Sequence, residues 1–318
     1  MSTRICNSAP QGPRSLARVR ARLQSRAVPE LPDLAVVSDA LHAALTGRSI
    51  VRAEAPAPLA VRGTPGELAA LAGQEVRRIH RQGKFILFEL ARDRIAINAM
   101  LTGRFQLAAP DDKKPANTAV VLAFGSRARA PKDAARWTKG AAWIPANDAP
   151  AEVRYRDPSQ MGKVYLLPAG VNRPVTGLEG AEQGPDADAP ELTLEVWRER
   201  IRRHPGELKS LLRNQAFVAG IGNAYSDEIL HAAKLSPFRK RASLAPEEVD
   251  ALYAATRSTL ANAIDVLRES VPPTFEKQAR DFLAVHRKGG EACPRCGTRI
   301  TQVKAGGFPT GYCRGFQR

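Results

Sequence analysis

Pro29 and Glu30 open the run Val28-Pro29-Glu30-Leu31-Pro32-Asp33-Leu34 and together hold an amine and an acid. As a first residue, Pro29 carries a free secondary amine that can attack the C1′ of a sugar. The resulting iminium keeps a permanent positive charge, an electron sink for β- and then δ-elimination of the flanking phosphates. Glu30, beside it, is placed to protonate the sugar ring oxygen and later to shuttle protons. In mid-chain the same nitrogen is an amide with no basic lone pair, so the chemistry depends on where the polypeptide starts. Taken alone, the run reads better as a loop before a helix, because proline suits a first helical turn.

Residues 1–28 hold six arginines (Arg4, Arg14, Arg18, Arg20, Arg22 and Arg26), no acid and no hydrophobic period. Such a segment is not written as a folded element. Two routes would expose Pro29. Synthesis could start at a valine-type initiation codon at Val28, with the methionine then trimmed; this is the preferred reading. The segment could instead be a cleaved transit peptide, being Arg-rich, Ser-containing and free of acids. A genuine disordered basic arm would leave the amine blocked.

Subtracting those six arginines from the net charge of +16 leaves +10 from Pro29 onward, the balance of a chain built to sit on a polyanion. Nucleic acid is the expected partner. About 290 residues at 43% hydrophobic content can fill two modest cores. No apolar run approaches a membrane span of roughly 18 residues, and no apolar secretory segment opens the chain, so a soluble protein is expected. Of four cysteines, three crowd near the C-terminus, which excludes a disulfide framework and points to a reducing compartment.

Elements that must position the pair follow from periodicity. Pro32 to Leu45 places Leu34, Val37, Leu41 and Leu45 at helical spacing and stops at Gly47. The period then becomes two: Ile50-Val51, Glu75 to Ile79, Phe85 to Leu90, Ile95 to Leu101, Phe105 to Leu107 and Ala119 to Phe124 predict short strands of a sandwich or barrel, completed by Trp143-Ile144 and Val164 to Leu167. Gly170 to Pro190, rich in Gly, Pro and acids, reads as a linker. Beyond it, Leu194 to Ile201, Glu207 to Leu212, Ala224 to Ala233 and Pro246 to Leu267 carry the helical period. The expected fold is α+β: residues 1–28 as extension, 29–170 as a β-sandwich with a leading helix, 171–191 as linker, 192–284 as a helical bundle and 285–318 as a hairpin resembling a zinc finger.

Gly220-Ile221-Gly222-Asn223 can present consecutive backbone N–H groups at a helix N-terminus, with the Asn223 amide adding donors, a natural phosphate cradle. Lys84 follows a glycine at a strand start, where taken alone a solvated lysine is the better reading; Lys209 and Arg213 lie one turn apart on the preceding helix, where a solvated face explains them about as well. Cys293-Pro-Arg-Cys296 and Cys313 supply three thiolates at zinc-finger spacing.

From Pro29 to Gln317 these motifs, in this order, make the chain similar to the formamidopyrimidine-DNA glycosylase/endonuclease VIII family. The family's opening Pro-Glu-Leu-Pro is matched by Pro29 to Pro32, its lysine-bearing strand by Gln82-Gly83-Lys84-Phe85, its helix-two-turn-helix by Leu211 to Leu230, and its finger by Cys293 to Gln317. The resemblance implies a bifunctional glycosylase and apurinic lyase that excises oxidised bases during base excision repair, with Pro29 as nucleophile, Glu30 as acid and Lys84 on the phosphate near the lesion. Gly222, Asn223, Lys209, Arg213 and Lys304 are then expected on DNA. The partner is damaged DNA; a monomer is expected, cytoplasmic and on the bacterial nucleoid, or organellar if the extension is a transit peptide.

The departures are as informative as the matches. The family's fourth cysteine is Phe316 here, so zinc is expected to be substoichiometric unless His286 substitutes, and no organic cofactor is implied. Packing of Phe308, Tyr312 and Phe316 offers a metal-free way to hold the hairpin. Phe308 also stands where the family keeps a phosphate-gripping arginine, and its Asp-Pro-Arg-Arg-Phe-Gly loop reads Asp157-Pro158-Ser159-Gln160-Met161-Gly162. Leu101 and Met161 can still wedge the duplex, and Gln160 can still bond the orphaned base. A non-catalytic binder of damaged DNA on the same scaffold is the alternative.

Overall fold

The computed structural model describes residues 28–132, 144–178, 183–270 and 279–318. Apart from Val28, the arginine-rich extension lies outside the described residues.

Helix α1 (Leu31–Leu45) leads, with Pro32 in its first turn and a capping box in which Asp33 accepts from the Glu30 backbone N–H at 2.8 Å. Strands β1 (Ile50–Glu54) and β2 (Val61–Arg62), the short helix α2 (Pro65–Ala69), and strands β3 (Val76–Gln82), β4 (Phe85–Leu90), β5 (Arg94–Asn98), β6 (Arg104–Ala108), β7 (Thr118–Phe124), β8 (Ala151–Arg156) and β9 (Lys163–Leu167) follow. They form a four-stranded sheet ordered β1-β7-β8-β6 and a five-stranded sheet ordered β2-β9-β5-β4-β3, antiparallel except for the β2–β9 pair. Between the sheets, Ile50, Phe88, Ile97, Phe105, Phe124 and Val164 share one core with Leu34, Leu41 and Leu45 of α1.

The sandwich is therefore as expected, with two corrections. Of the predicted strand Trp143-Ile144, Trp143 lies outside the described residues and Ile144 sits in a bend. The strand that completes the four-stranded sheet is β8 instead, hidden in the sequence by its charges: Arg154 is fully buried and donates to Glu152 at 2.8 Å. The described residues of the expected linker, 171–178 and 183–191, form no helix or strand, yet they are not slack. Val175 and Leu178 pack on Phe85 and Leu87, so β4 is covered on both faces and reads as a continuous apolar run. Arg81 clamps the same segment through Asp186 at 2.9 Å and Asp188 at 2.5 Å.

Four helices, α3 (Leu194–Arg203), α4 (Leu208–Arg213), α5 (Asn223–Ala232) and α6 (Pro246–Ser270), build the second core around Trp197, Phe217, Tyr225, Ile229 and Leu252. Trp197 anchors it, with its ring 4.8 Å from that of Phe217. Strands β10 (Thr301–Ala305) and β11 (Phe308–Tyr312) form the C-terminal antiparallel hairpin. Leu31 packs in the helical core whereas Leu34, one turn on, packs in the sandwich core. The Pro29-Glu30 step thus lies at the seam between the two.

Candidate active site

Glu30 crosses that seam. Its carboxylate accepts the backbone N–H groups of Gly222 at 2.7 Å, Ala224 at 2.8 Å and Tyr225 at 3.1 Å, at the N-terminus of α5. A helix N-terminus offers orphan donors and a favourable dipole to an anion, and here the anion is the protein's own acid. The Leu31 N–H donates to the Gly220 carbonyl at 2.9 Å and closes the contact. Both glycines are needed. Gly220 has φ +94°, and a Cβ on it would lie 2.8 Å from Leu31; a Cβ on Gly222 would lie 2.5 Å from the Glu30 carboxyl carbon. In this conformation the Gly222 N–H is spent on Glu30, where the sequence placed it in a phosphate cradle.

Pro29 is buried beside this acid. Lys84, in the turn between β3 and β4, is the nearby cation: Glu30 pulls its pKa up, Arg213 pushes it down, and burial, the largest effect, leaves it below the ordinary lysine value. Its ammonium has no hydrogen bond or ion pair among the described residues. Arg213, the last residue of α4, stacks on the Phe308 ring with its guanidinium carbon 3.7 Å from the centroid.

Two other expected phosphate contacts turn inward. Lys209 is buried, donating to Asp227 at 2.6 Å and to the Pro309 carbonyl at 3.0 Å. The Asn223 amide donates to the same carbonyl at 2.9 Å, leaving its own oxygen buried and unpartnered. Lys304 is exposed on β10, opposite Pro309.

Leu101 and Met161 stand on two neighbouring turns. Thr102 bonds the Asp157 carboxylate and Ser159, and Asp157 takes the Gly162 N–H at 2.6 Å. Leu101 is 40% exposed, Met161 43% and Met100, unnoticed in the sequence, 37%; three apolar tips thus project from one tied pair of loops. Gln160 is held at φ +55° on the same edge.

Residues behind the site also went unnoticed. Asp33 pairs with Arg280 at 2.6 Å, and Arg280 lies over the Tyr225 ring at 4.8 Å. Burial raises the Asp33 pKa against the pull of Arg280. The Pro32-Asp33 helix start signals Asp33 as a cap, but nothing local signals a partner 247 residues away.

At the hairpin the sulfurs of Cys293, Cys296 and Cys313 all lie within 4.8 Å of one another, so they could hold a zinc ion on three sides. The fourth place, Phe316, presents a ring to His231, centroids 5.2 Å apart. His286 does not join the three sulfurs, which alone form the donor cluster among the described residues; its Nδ1 bonds Asp227 at 2.8 Å instead. Nor do the three aromatics pack together, since Phe308 meets Arg213, Tyr312 meets Phe238 at 5.3 Å and Phe316 meets His231.

The sequence pattern of the formamidopyrimidine-DNA glycosylase N-terminal domain matches residues 28–164, and that of the formamidopyrimidine-DNA glycosylase H2TH domain matches 183–272. The chain belongs to the formamidopyrimidine-DNA glycosylase family. Among curated relatives in this family, the formamidopyrimidine-DNA glycosylase of Geobacillus kaustophilus is 32% identical over 92% of this chain and 100% of its own length. That of Symbiobacterium thermophilum is 31% identical over 90% and 88%. Among solved structures, the Lactococcus lactis Fpg in complex with DNA containing an abasic site superposes with a TM-score of 0.74 at 25% identity, covering 91% of this chain and 99% of that one. Among the described residues no helix is long and apolar enough to cross a membrane.

Proposed function

We propose that this protein is a DNA glycosylase of base excision repair that removes oxidised bases and, with Pro29 presented as a free amine, also nicks the strand as an apurinic lyase. The observation that carries this reading is the Pro29-Glu30 step: an acid fixed by three backbone donors, next to the residue that becomes the nucleophile, with the Lys84 ammonium close enough to feel its charge. Such preorganisation is what a proton-transfer group needs. The relatives' names and the abasic-site DNA bound to the lactococcal protein support DNA as the partner.

In this reaction the Pro29 nitrogen bonds to C1′ as the bond from C1′ to the damaged base breaks, and the base leaves with the proton that the nitrogen gives up. Glu30 protonates the sugar ring oxygen, the C1′–O4′ bond breaks, and the opened sugar remains as an iminium on Pro29. The Glu30 carboxylate then takes the C2′ proton, the electrons of that bond flow toward the iminium and the 3′-phosphate departs; a second elimination releases the 5′-phosphate, and water hydrolyses the imine and frees Pro29. Lys84 holds a phosphate throughout. Leu101, Met161 and Met100 fill the space left in the duplex by the flipped nucleotide, and Gln160 bonds the unpaired base. When bound, zinc at Cys293, Cys296 and Cys313 would stiffen the hairpin and take no part in bond making.

Borohydride trapping on abasic DNA tests the nucleophile. Protein that starts at Pro29 is expected to crosslink and protein that starts at Met1 is not. Equal crosslinking by two uncleaved forms would assign the imine to another amine. A second reading, a lesion binder without catalysis, is favoured by Phe308 and Gln160 standing where the family resemblance places arginines; absence of trapping by the Pro29 form together with tight lesion binding would select it.

A further inference from the structure

Arg213 is a cation without an anion. Its guanidinium has no carboxylate pair and no side-chain hydrogen bond among the described residues, although it stands at the end of a half-buried helix turn. Glu30 and Asp227 both act on its charge from a distance, while burial disfavours that charge. An arginine desolvated without a partner is costly, and proteins retain such a group where a ligand completes it.

What holds it is the hairpin. Lys209 and Asn223 both donate to the Pro309 carbonyl, at 3.0 and 2.9 Å, and so dock the start of β11 onto the helix-two-turn-helix. That docking sets the Phe308 ring against Arg213, with the guanidinium carbon 3.7 Å from the ring centroid. The ring occupies part of the guanidinium surface, and the N–H groups that fork onto phosphate oxygens have no acceptor among the described residues. Arg213 also interacts electrostatically with both Glu30 and Lys84, so the two cations belong to one charged neighbourhood with the acid.

We propose that Arg213 and Lys84 together grip the DNA phosphate at the active site, with Phe308 as the platform that aims Arg213, so that this chain delivers from a helix the charge its hairpin lacks. This rests on the glycosylase reading and adds to it a phosphate-binding residue held by an aromatic of the hairpin. Lys304, exposed on β10, has no comparable platform.

The test is equilibrium binding of the full chain to duplex DNA carrying a tetrahydrofuran abasic analogue, which cannot be cleaved, across a salt series. Arg213→Leu is expected to weaken binding roughly tenfold and to lower the slope of log K against log salt by about one. Arg213→Lys keeps the slope. In the Arg213→Leu background, Phe308→Arg returns the charge from the hairpin side and is expected to recover the slope. Melting temperatures close to wild type confirm that each variant folds. An unchanged slope in Arg213→Leu with lesion preference intact, or no recovery in the double variant, overturns this assignment alone. Wild-type protein that binds lesion and intact DNA alike overturns the glycosylase reading itself.

Discussion

Two of the hairpin's attachments could hardly differ more. One is the thiol end, where Cys293, Cys296 and Cys313 cluster and the Phe316 ring meets His231 of α5. The other is a seam of carboxylates on α5. Asp227 takes Lys209 at 2.6 Å, His286 Nδ1 at 2.8 Å and the Gly311 N–H at 3.1 Å; Glu228 takes the backbone N–H groups of Ala284, Val285 and His286 at 2.7 to 2.9 Å. The first end has an incomplete donor set, and the second is fully satisfied. An incomplete metal site contributes folding energy only while the metal stays, whereas a satisfied buried polar network specifies one docking geometry at all times. The seam is therefore the attachment on which hairpin placement, and with it the Phe308-Arg213 stack, depends.

The largest expected effect breaks the seam. Asp227→Ala leaves Lys209 and His286 buried without their acceptor and is expected to cost about 3 to 5 kcal/mol in denaturant unfolding, with loss of lesion-DNA binding. A cost below 1 kcal/mol would show that the thiol end carries the hairpin after all. Chelation attacks the other end. Zinc measured in purified protein is expected below one per chain, and removing it is expected to lower Tm by less than Asp227→Ala does. One tightly held zinc whose removal unfolds the chain would reverse the ranking of the two ends.

The smallest effect concerns pH. Burial depresses the Lys84 pKa, so the ammonium proposed to grip phosphate is fully present below the depressed value and is lost as pH rises through it. DNA affinity is expected to decline at a pH below the ordinary lysine range of about 10.4. Lys84→Arg should flatten that limb; a decline unchanged in the variant would assign it to another group.

Legibility in the sequence tracked locality. Strand β4 and helices α3 to α6 were readable because their periods are their own. Strand β8 was not, since Arg154 is buried only by virtue of Glu152 and the carbonyls of Ala109 and Lys113, which pattern reasoning cannot see. At the site, Pro29, Glu30 and Lys84 were marked by short motifs. The fate of the helix-terminal donors was misread for the opposite reason: Gly220-Ile-Gly222 looks like an anion cradle, and it is one, but its anion is 192 positions away in the chain. The pairing of Arg213 with Phe308 likewise joins residues that no local pattern connects.

The crossing of Glu30 from one core to the other also bears on how this protein can be taken apart. A cut within residues 171–191 would give two fragments, each with a core of its own, but the N-terminal piece would bare Leu31 and strip Glu30 of all three donors, while the C-terminal piece would leave the head of α5 uncapped. The three-residue segment Pro29-Glu30-Leu31 is thus a latch as well as the proposed reagent. Fragments mixed in a complementation assay would report their own reassembly through recovered chemistry, because the acid regains its hydrogen bonds only when the halves meet.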